Sequence, residues 1–213
     1  MTRAQRGRPV GASGEETRRR IIVATMRCVA EVGHTRATIR EIARAADMTS
    51  GSLYHYFPNK GELLEATVSE MDRIALPRLR TAAARADNVI DRLAAVLDES
   101  GRLMGDYPHL AAFERAMRVA GHEHRRRDRR THPGPKALRD VITEIVGNAH
   151  TQGSLPADTD PRAAANAIHA LARGLTERAA NLDPHAYAAT LDSAKKLLKG
   201  TLFTQLPTTP GDR

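Results

Sequence analysis

The stretch from Thr38 to Lys60, TIREIARAADMTSGSLYHYFPNK, constrains the fold more than any other part of the chain. Thr38 followed three residues later by Glu41 is a capping-box signature, and it opens a short helix with Ile39, Ile42, Ala43 and Ala46 on one face. Asp47 marks a turn. Thr49 then reads as the N-cap of another helix, ending near Phe57-Pro58 because proline disfavours helix at the residue before it. Asn59 with Glu62 caps the next helix, expected to run to about Leu76 before Pro77. Upstream, Ser13 and Glu16 form a further capping box. After it Ile21, Thr25, Cys28, Val29 and Val32 recur at helical spacing until Gly33 stops the run. Three short capped helices separated by tight turns, then a long one, make the outline of a helix-turn-helix module with a connector.

Beyond residue 80 the pattern changes to long amphipathic helices. One carries Val89, Leu93, Val96, Ser100, Leu103 and Met104, and a second carries Leu110, Phe113 and Met117. The charged segment 121–135 is read as a loop, and a helix resumes at Leu138 with Val141, Ile142, Ile145, Val146 and Ala149. Two final helices are expected at roughly 161–181 and 184–203. With no tryptophan and seven other aromatics, the core has to be built from Ala, Leu, Ile, Val and Met. The fold class is therefore all-α, with four expected parts. These are a disordered basic arm (1–13), the helix-turn-helix domain (14–58), a larger ligand-binding and dimerisation domain (59–203) and a disordered tail (204–213).

Charge separates the same two ends. Residues 1–60 hold 11 basic and 5 acidic side chains, or +6 of the total +8. A positive surface confined to one end suits a phosphate-binding module, although a solvated basic tail has the same composition. A single cysteine excludes a disulfide framework and fits a reducing cytoplasm. No apolar run approaches the roughly 20 residues of a membrane span. No P-loop, dinucleotide fingerprint, nucleophile elbow or H-E-x-x-H occurs, so neither an enzyme nor a cofactor is expected.

In a helix-turn-helix the second helix lies in the major groove with its N-terminal residues at base edges. Here that helix would begin Thr49-Ser50-Gly51-Ser52, whose small side chains allow the backbone to approach a duplex. Tyr54 and His55 follow one turn later, Lys60 opens the next helix, and Arg40 projects opposite the apolar stripe. Residues 18–68, with the elements EVG, TIREIA, TSGSLYHYF and NKGELL in order, resemble the tetracycline-repressor (TetR) family of bacterial regulators. The resemblance implies a homodimer, each subunit carrying three DNA-binding helices and six or seven further helices that bind a ligand. Carried over by position, Thr38, Tyr54 and Lys60 would contact phosphates, and Arg40, Ser50, Gly51, Ser52 and His55 would face the groove. Asp47 departs from the family's usual glycine, but aspartate tolerates the left-handed conformation better than most residues.

The remaining signals are weaker. Arg6-Gly7-Arg8-Pro9 matches the core of an AT-hook, which lies in a narrow minor groove, and also reads as a basic tail; either form raises affinity for DNA. Cys28 lies on an apolar stripe and reads as a core thiol. His122, Glu123, His124 and His132 lack metal-ligand spacing, so this arginine-rich stretch reads as a solvated loop. Stripes on the last two helices, including Ile168, Leu171, Leu175, Leu191, Ala194 and Leu198, suit the four-helix dimer seam usual in that family. Met104, Tyr107, Phe113 and Met117 are candidates to line a mainly apolar pocket, although such residues are also ordinary core. The expected partners are an operator in double-stranded DNA, arranged as an inverted repeat, a second copy of the chain and a small, largely apolar effector. The effector would make the protein a ligand-responsive repressor; a non-sensing DNA-binding protein with a fully packed C-terminal domain is the alternative.

Overall fold

The computed structural model describes residues 12–125 and 136–203, with the side chains of 12, 13 and 121–125 left out. Among the described residues there are nine helices and no strand. Residues 1–11 of the expected arm, 126–135 of the expected loop with His132, and the tail from 204 lie outside the described residues. Helices α1 (Ala12–Val32), α2 (Ile39–Ala45), α3 (Ser50–Tyr54), the part of α4 (Lys60–Ala83) up to Ile74, and α6 (Leu110–Arg125) form one compact unit. The rest of α4 with α5 (Val89–Asp106), α7 (Ala137–Thr151), α8 (Pro161–Ala179) and α9 (Pro184–Leu198) forms a second. The expected boundary at residues 58/59 thus falls inside the first unit, because the start of α4 buries Leu63, Leu64, Thr67 and Val68.

In the first unit α1 packs on α2 and on α6, and α2 packs on α3. The buried set comprises Ile21, Ile22, Met26, Val29, Ile42, Leu53, Phe57, Leu63, Leu64, Phe113 and Met117. Each large aliphatic or aromatic side chain removed from water there contributes about 1.5–3 kcal/mol before conformational entropy is charged against it. The two buried threonines satisfy their hydroxyls within their own helices: Thr25 donates to the Ile21 carbonyl and Thr67 to the Leu63 carbonyl, both at 2.8 Å. One half-buried carboxyl stands out. Glu114 on α6 lies 3.6 Å from the Arg118 guanidinium, and burial raises its pKa to about 7 against the opposing pull of Arg118, with Asp72 adding to the rise.

In the second unit α5 packs against α7, α8 and α9, and α8 packs on α7 and α9. Asp160 and Asp183 cap α8 and α9, each followed by proline at the first helical position, where the missing N–H costs nothing. Gly153 closes α7 with φ +70°, a conformation that glycine adopts without a Cβ penalty.

Several helix bounds differ from the sequence expectation: α3 ends at Tyr54 rather than near Phe57, and α9 at Leu198 rather than about residue 203. α1 already includes Ser13, so its start is not the capping box read there. α6 continues to Arg125 rather than stopping before residue 121, since arginine and glutamate are good helix formers. Most notably, α4 does not end at Leu76: it runs through Pro77 to Ala83. A proline there removes one intrahelical hydrogen bond and costs about 3 kcal/mol. Tertiary contacts hold the turn that follows it. Leu79, Ala82 and Ala83 are buried, Arg78 donates to Glu99 at 2.6 Å and to Asp106 at 2.7 Å, and Arg80 donates to Glu144 at 3.0 Å. Burial pushes Glu99 up, but hydrogen bonds from Arg102 and Arg78 outweigh it and hold the carboxyl below the usual range.

Candidate nucleic-acid interface

Local chemistry caps and joins the two short helices. The Thr38 hydroxyl accepts the Glu41 N–H at 3.2 Å, while the Thr38 N–H and hydroxyl both donate to Glu41 Oε2 at 2.9 Å. These bonds, the main-chain one first, hold the Glu41 carboxyl below its ordinary range. α2 buries Ile42 and Ala43 and leaves Arg40 and Arg44 exposed. The chain then reverses through Asp47 at φ +53°, and the Met48 N–H returns to the Ala43 carbonyl at 3.0 Å. Aspartate stands in the left-handed conformation that the family usually gives to glycine.

Thr49 caps α3: its hydroxyl oxygen accepts the Ser52 N–H at 3.1 Å and shares a 2.9 Å bond with the Ser52 hydroxyl. Leu53 is the anchor of this five-residue helix and is fully buried. Phe57 is also buried, and the Arg18 guanidinium of α1 sits 4.5 Å from the centre of its ring, tying α1 to the segment after α3. Asn59 caps α4, accepting the Glu62 N–H at 2.9 Å and donating its amide to the Glu62 carboxylate at 3.0 Å.

The residues expected to meet DNA are thereby brought to one small module. Thr38, Arg40, Thr49, Gly51, Tyr54 and His55 are exposed, and Ser50, Ser52 and Lys60 are half-buried. A groove between α2 and the start of α3 is lined by Thr38, Arg40, Glu41, Arg44, Met48, Thr49 and Ser50. Gly51 is informative by what it lacks. A Cβ built there would meet only the Thr49 hydroxyl oxygen, at an ordinary 3.8 Å, so nothing within the described protein requires glycine.

Lys60 is placed differently from the expectation of a free phosphate clamp. Its ammonium donates to the main-chain carbonyl of His34 and reaches that of Thr35 at 3.5 Å, closing the turn after α1. Burial lowers its pKa, partly offset by Glu41. Arg44 shares the groove with Arg40, one helical turn away on α2.

Residues 21–67 match the family profile described as bacterial regulatory proteins, tetR family. Over this segment the chain is similar to the TetR family. It is 41% identical over 83 residues to the HTH-type transcriptional regulator BetI of Klebsiella pneumoniae, a match that covers 39% of this chain and 37% of that regulator. The match therefore spans well under half the length of that curated relative. Its fold is similar to that of the transcriptional regulator FadR from Bacillus subtilis in complex with stearoyl-CoA. The TM-score is 0.71 at 20% identity, covering 87% of this chain and 99% of that one. It is also similar to AibR in complex with isovaleryl coenzyme A and operator DNA, with a TM-score of 0.65 at 20% identity, covering 85% and 97%.

The other expected sites are distributed as follows. Leu175 and Ala194 are buried within the second unit. Leu191 lies over α5, where its Cδ2 and the Tyr187 ring come within 3.2 Å and 3.4 Å of the position a Cβ would take on Gly101. Ile168, Leu171 and Leu198 are half-buried. The fully outward stripe of α8 is instead Ala163, Ala167, Ala170 and Gly174. Of the pocket candidates, Phe113 and Met117 are buried in the first unit, Tyr107 is half-buried there, and Met104 is half-buried in the second. Arg6 and Arg8 lie outside the described residues. Cys28 is buried, and burial raises its pKa, away from thiolate reactivity. Among the described residues, no helix is long and apolar enough to cross a membrane, and no group of three His, Cys, Asp or Glu is placed to hold a metal ion.

Proposed function

We propose that this chain is a sequence-specific DNA-binding transcriptional regulator, acting as a homodimer on an inverted-repeat operator and released or recruited by a small, largely apolar effector. The observation that carries the reading is the α2–turn–α3 module. Its outward face holds Arg40, Thr49, Gly51, Tyr54 and His55, and it includes an exposed glycine for which the protein itself has no use. The concentration of net positive charge in the first 60 residues supports it. So does the named role of the BetI relative, whose match includes this module.

Dimerisation is supported by the outward stripe on α8. Ala163, Ala167, Ala170 and Gly174 are spaced 4, 3 and 4 residues apart, which places them along one line of the helix. On α9, Ala189, Ser193 and Leu197 are exposed at intervals of four. Small residues on two packed helices of one subunit allow the same pair of a second subunit to approach closely. Dimer symmetry then copies itself into the operator, with half-site centres about one helical turn or slightly more apart. The acyl-coenzyme A molecules bound by FadR and AibR support an effector with a substantial apolar part.

The test is selection of bound duplexes from a random-sequence pool followed by footprinting, repeated with acyl-coenzyme A thioesters of increasing chain length. The expected result is an enriched inverted repeat, protected on both half-sites, with occupancy that changes with at least one thioester. Failure to enrich any sequence defeats the DNA-binding reading. An asymmetric single site defeats the dimer reading.

A further inference from the structure

Of the three residues expected to engage phosphates, two spend donors inside the protein. The Lys60 ammonium holds the carbonyls of His34 and Thr35, and the Thr38 hydroxyl and N–H are both given to Glu41. Exposed cations elsewhere on the module have to neutralise the backbone of a duplex. Arg40 and Arg44 stand one turn apart on α2, so they share a face; both are exposed, and both line the groove whose opposite wall is Met48, Thr49 and Ser50. Arg44 also borders the neighbouring groove on the α1 side, where Arg27, Glu31 and Glu41 are the other charged residues.

The Arg44 guanidinium makes no hydrogen bond or ion pair among the described residues, although the Arg44 carbonyl accepts the Asp47 N–H at 3.2 Å. Glu41, the carboxylate on which it acts by charge, is held by Thr38. A positive side chain in the last turn of α2 also favours the helix dipole, but lysine would serve that purpose equally. Arginine is the residue whose planar fork matches a phosphate with two parallel hydrogen bonds.

We infer that Arg44 is a further DNA contact of this face, a phosphate clamp one helical turn behind Arg40 and beside the recognition helix. The inference rests on the reading of the module as DNA-binding. It divides the labour on α2: Arg40, nearer the start of the helix, is left for base edges, and Arg44 takes the backbone.

The experiment titrates a duplex enriched by the wild-type protein and a scrambled duplex of equal length, each at several salt concentrations. The proteins are wild type, Arg44→Ala, Arg44→Gln and Arg44→Lys, with thermal melts run alongside to confirm folding. Arg44→Ala weakens both duplexes by the same factor and reduces the log–log salt slope by about one unit, because one fewer counterion is released. Arg44→Gln, which keeps helix propensity, reports the same loss if the alanine variant melts early. Arg44→Lys restores the slope. An unchanged slope in both neutral variants overturns the inference, and so does a loss confined to the enriched duplex, which would make Arg44 a base reader. A wild-type protein that shows no salt-dependent binding to either duplex overturns the DNA-binding reading itself, a result distinguishable from the other two.

Discussion

Gly51 and Glu114 show how single residues carry opposite kinds of information. Gly51 sits in α3 with open space around it, so replacing it with alanine adds a better helix former and no clash. Gly51→Ala is expected to raise thermal stability by about 0.5–1 kcal/mol and yet to weaken binding to an enriched duplex, because the added methyl stands where a DNA backbone or base edge approaches. Unfolding curves and titrations on the same preparation check the pair. A variant that is more stable and binds equally well removes the argument from glycine. Glu114 reports on the interior. Its pKa of about 7 lies above the unfolded value, so the folded state binds the proton more tightly. The stability it contributes is fully present below about pH 4.5 and is lost as pH rises through 7. Glu114→Gln, which keeps the shape without the charge, is expected to match wild type near pH 4 and to exceed it by roughly 1–3 kcal/mol at pH 8. Denaturant unfolding across that range measures the difference directly, and a constant difference with pH would mean that Glu114 is not held as a neutral acid.

At the scale of elements, α4 departs furthest from its local sequence preference. Pro77 breaks the hydrogen-bond ladder, and the residues after it stay helical because Leu79, Ala82 and Ala83 are buried and Arg78 and Arg80 are paired. Pro77→Ala returns an N–H to the Arg73 carbonyl and is expected to stabilise the protein by about 1–3 kcal/mol, read as a rise in melting temperature. A fall would show that the packing needs the proline ring. The module of α2 and α3 is the reverse case. There the caps at Thr38, Thr49 and Asn59 do in the structure what their spacing announces, because a cap is made by residues within one turn of each other. Lys60 shows where that legibility stops: its partners are 25 and 26 residues away, and no local pattern encodes them.

For the whole molecule, the proposed two-fold assembly can be tested on residues that the subunit does not use for its own core. Leu191 is committed to α5, and a charge there would test folding rather than association. Ala167 and Ala170 are exposed on α8, so the double variant Ala167→Glu, Ala170→Glu should leave the subunit's melting behaviour nearly intact apart from any contribution of association. Sedimentation is expected to show it as a monomer at micromolar concentration, with operator affinity reduced at least 100-fold through the loss of two-site binding. A double variant that remains dimeric would move the seam off this stripe.

The sequence by itself determined the all-helical class and the capped module from Thr38 to Lys60. Both follow from short-range chemistry: helical periodicity, N-caps, and a left-handed turn at Asp47. It also marked a stripe on each of the last two helices. Tertiary structure alone decided what each stripe is buried against. An apolar face encodes burial but not the identity of its partner, and so Leu175, Leu191 and Ala194 went to packing within the subunit, while Ala163, Ala167, Ala170 and Gly174 were left outward. The same reason explains α4. Its continuation past Pro77 depends on Glu99, Asp106 and Glu144, carboxylates contributed by α5 and α7 that only the folded chain brings to Arg78 and Arg80.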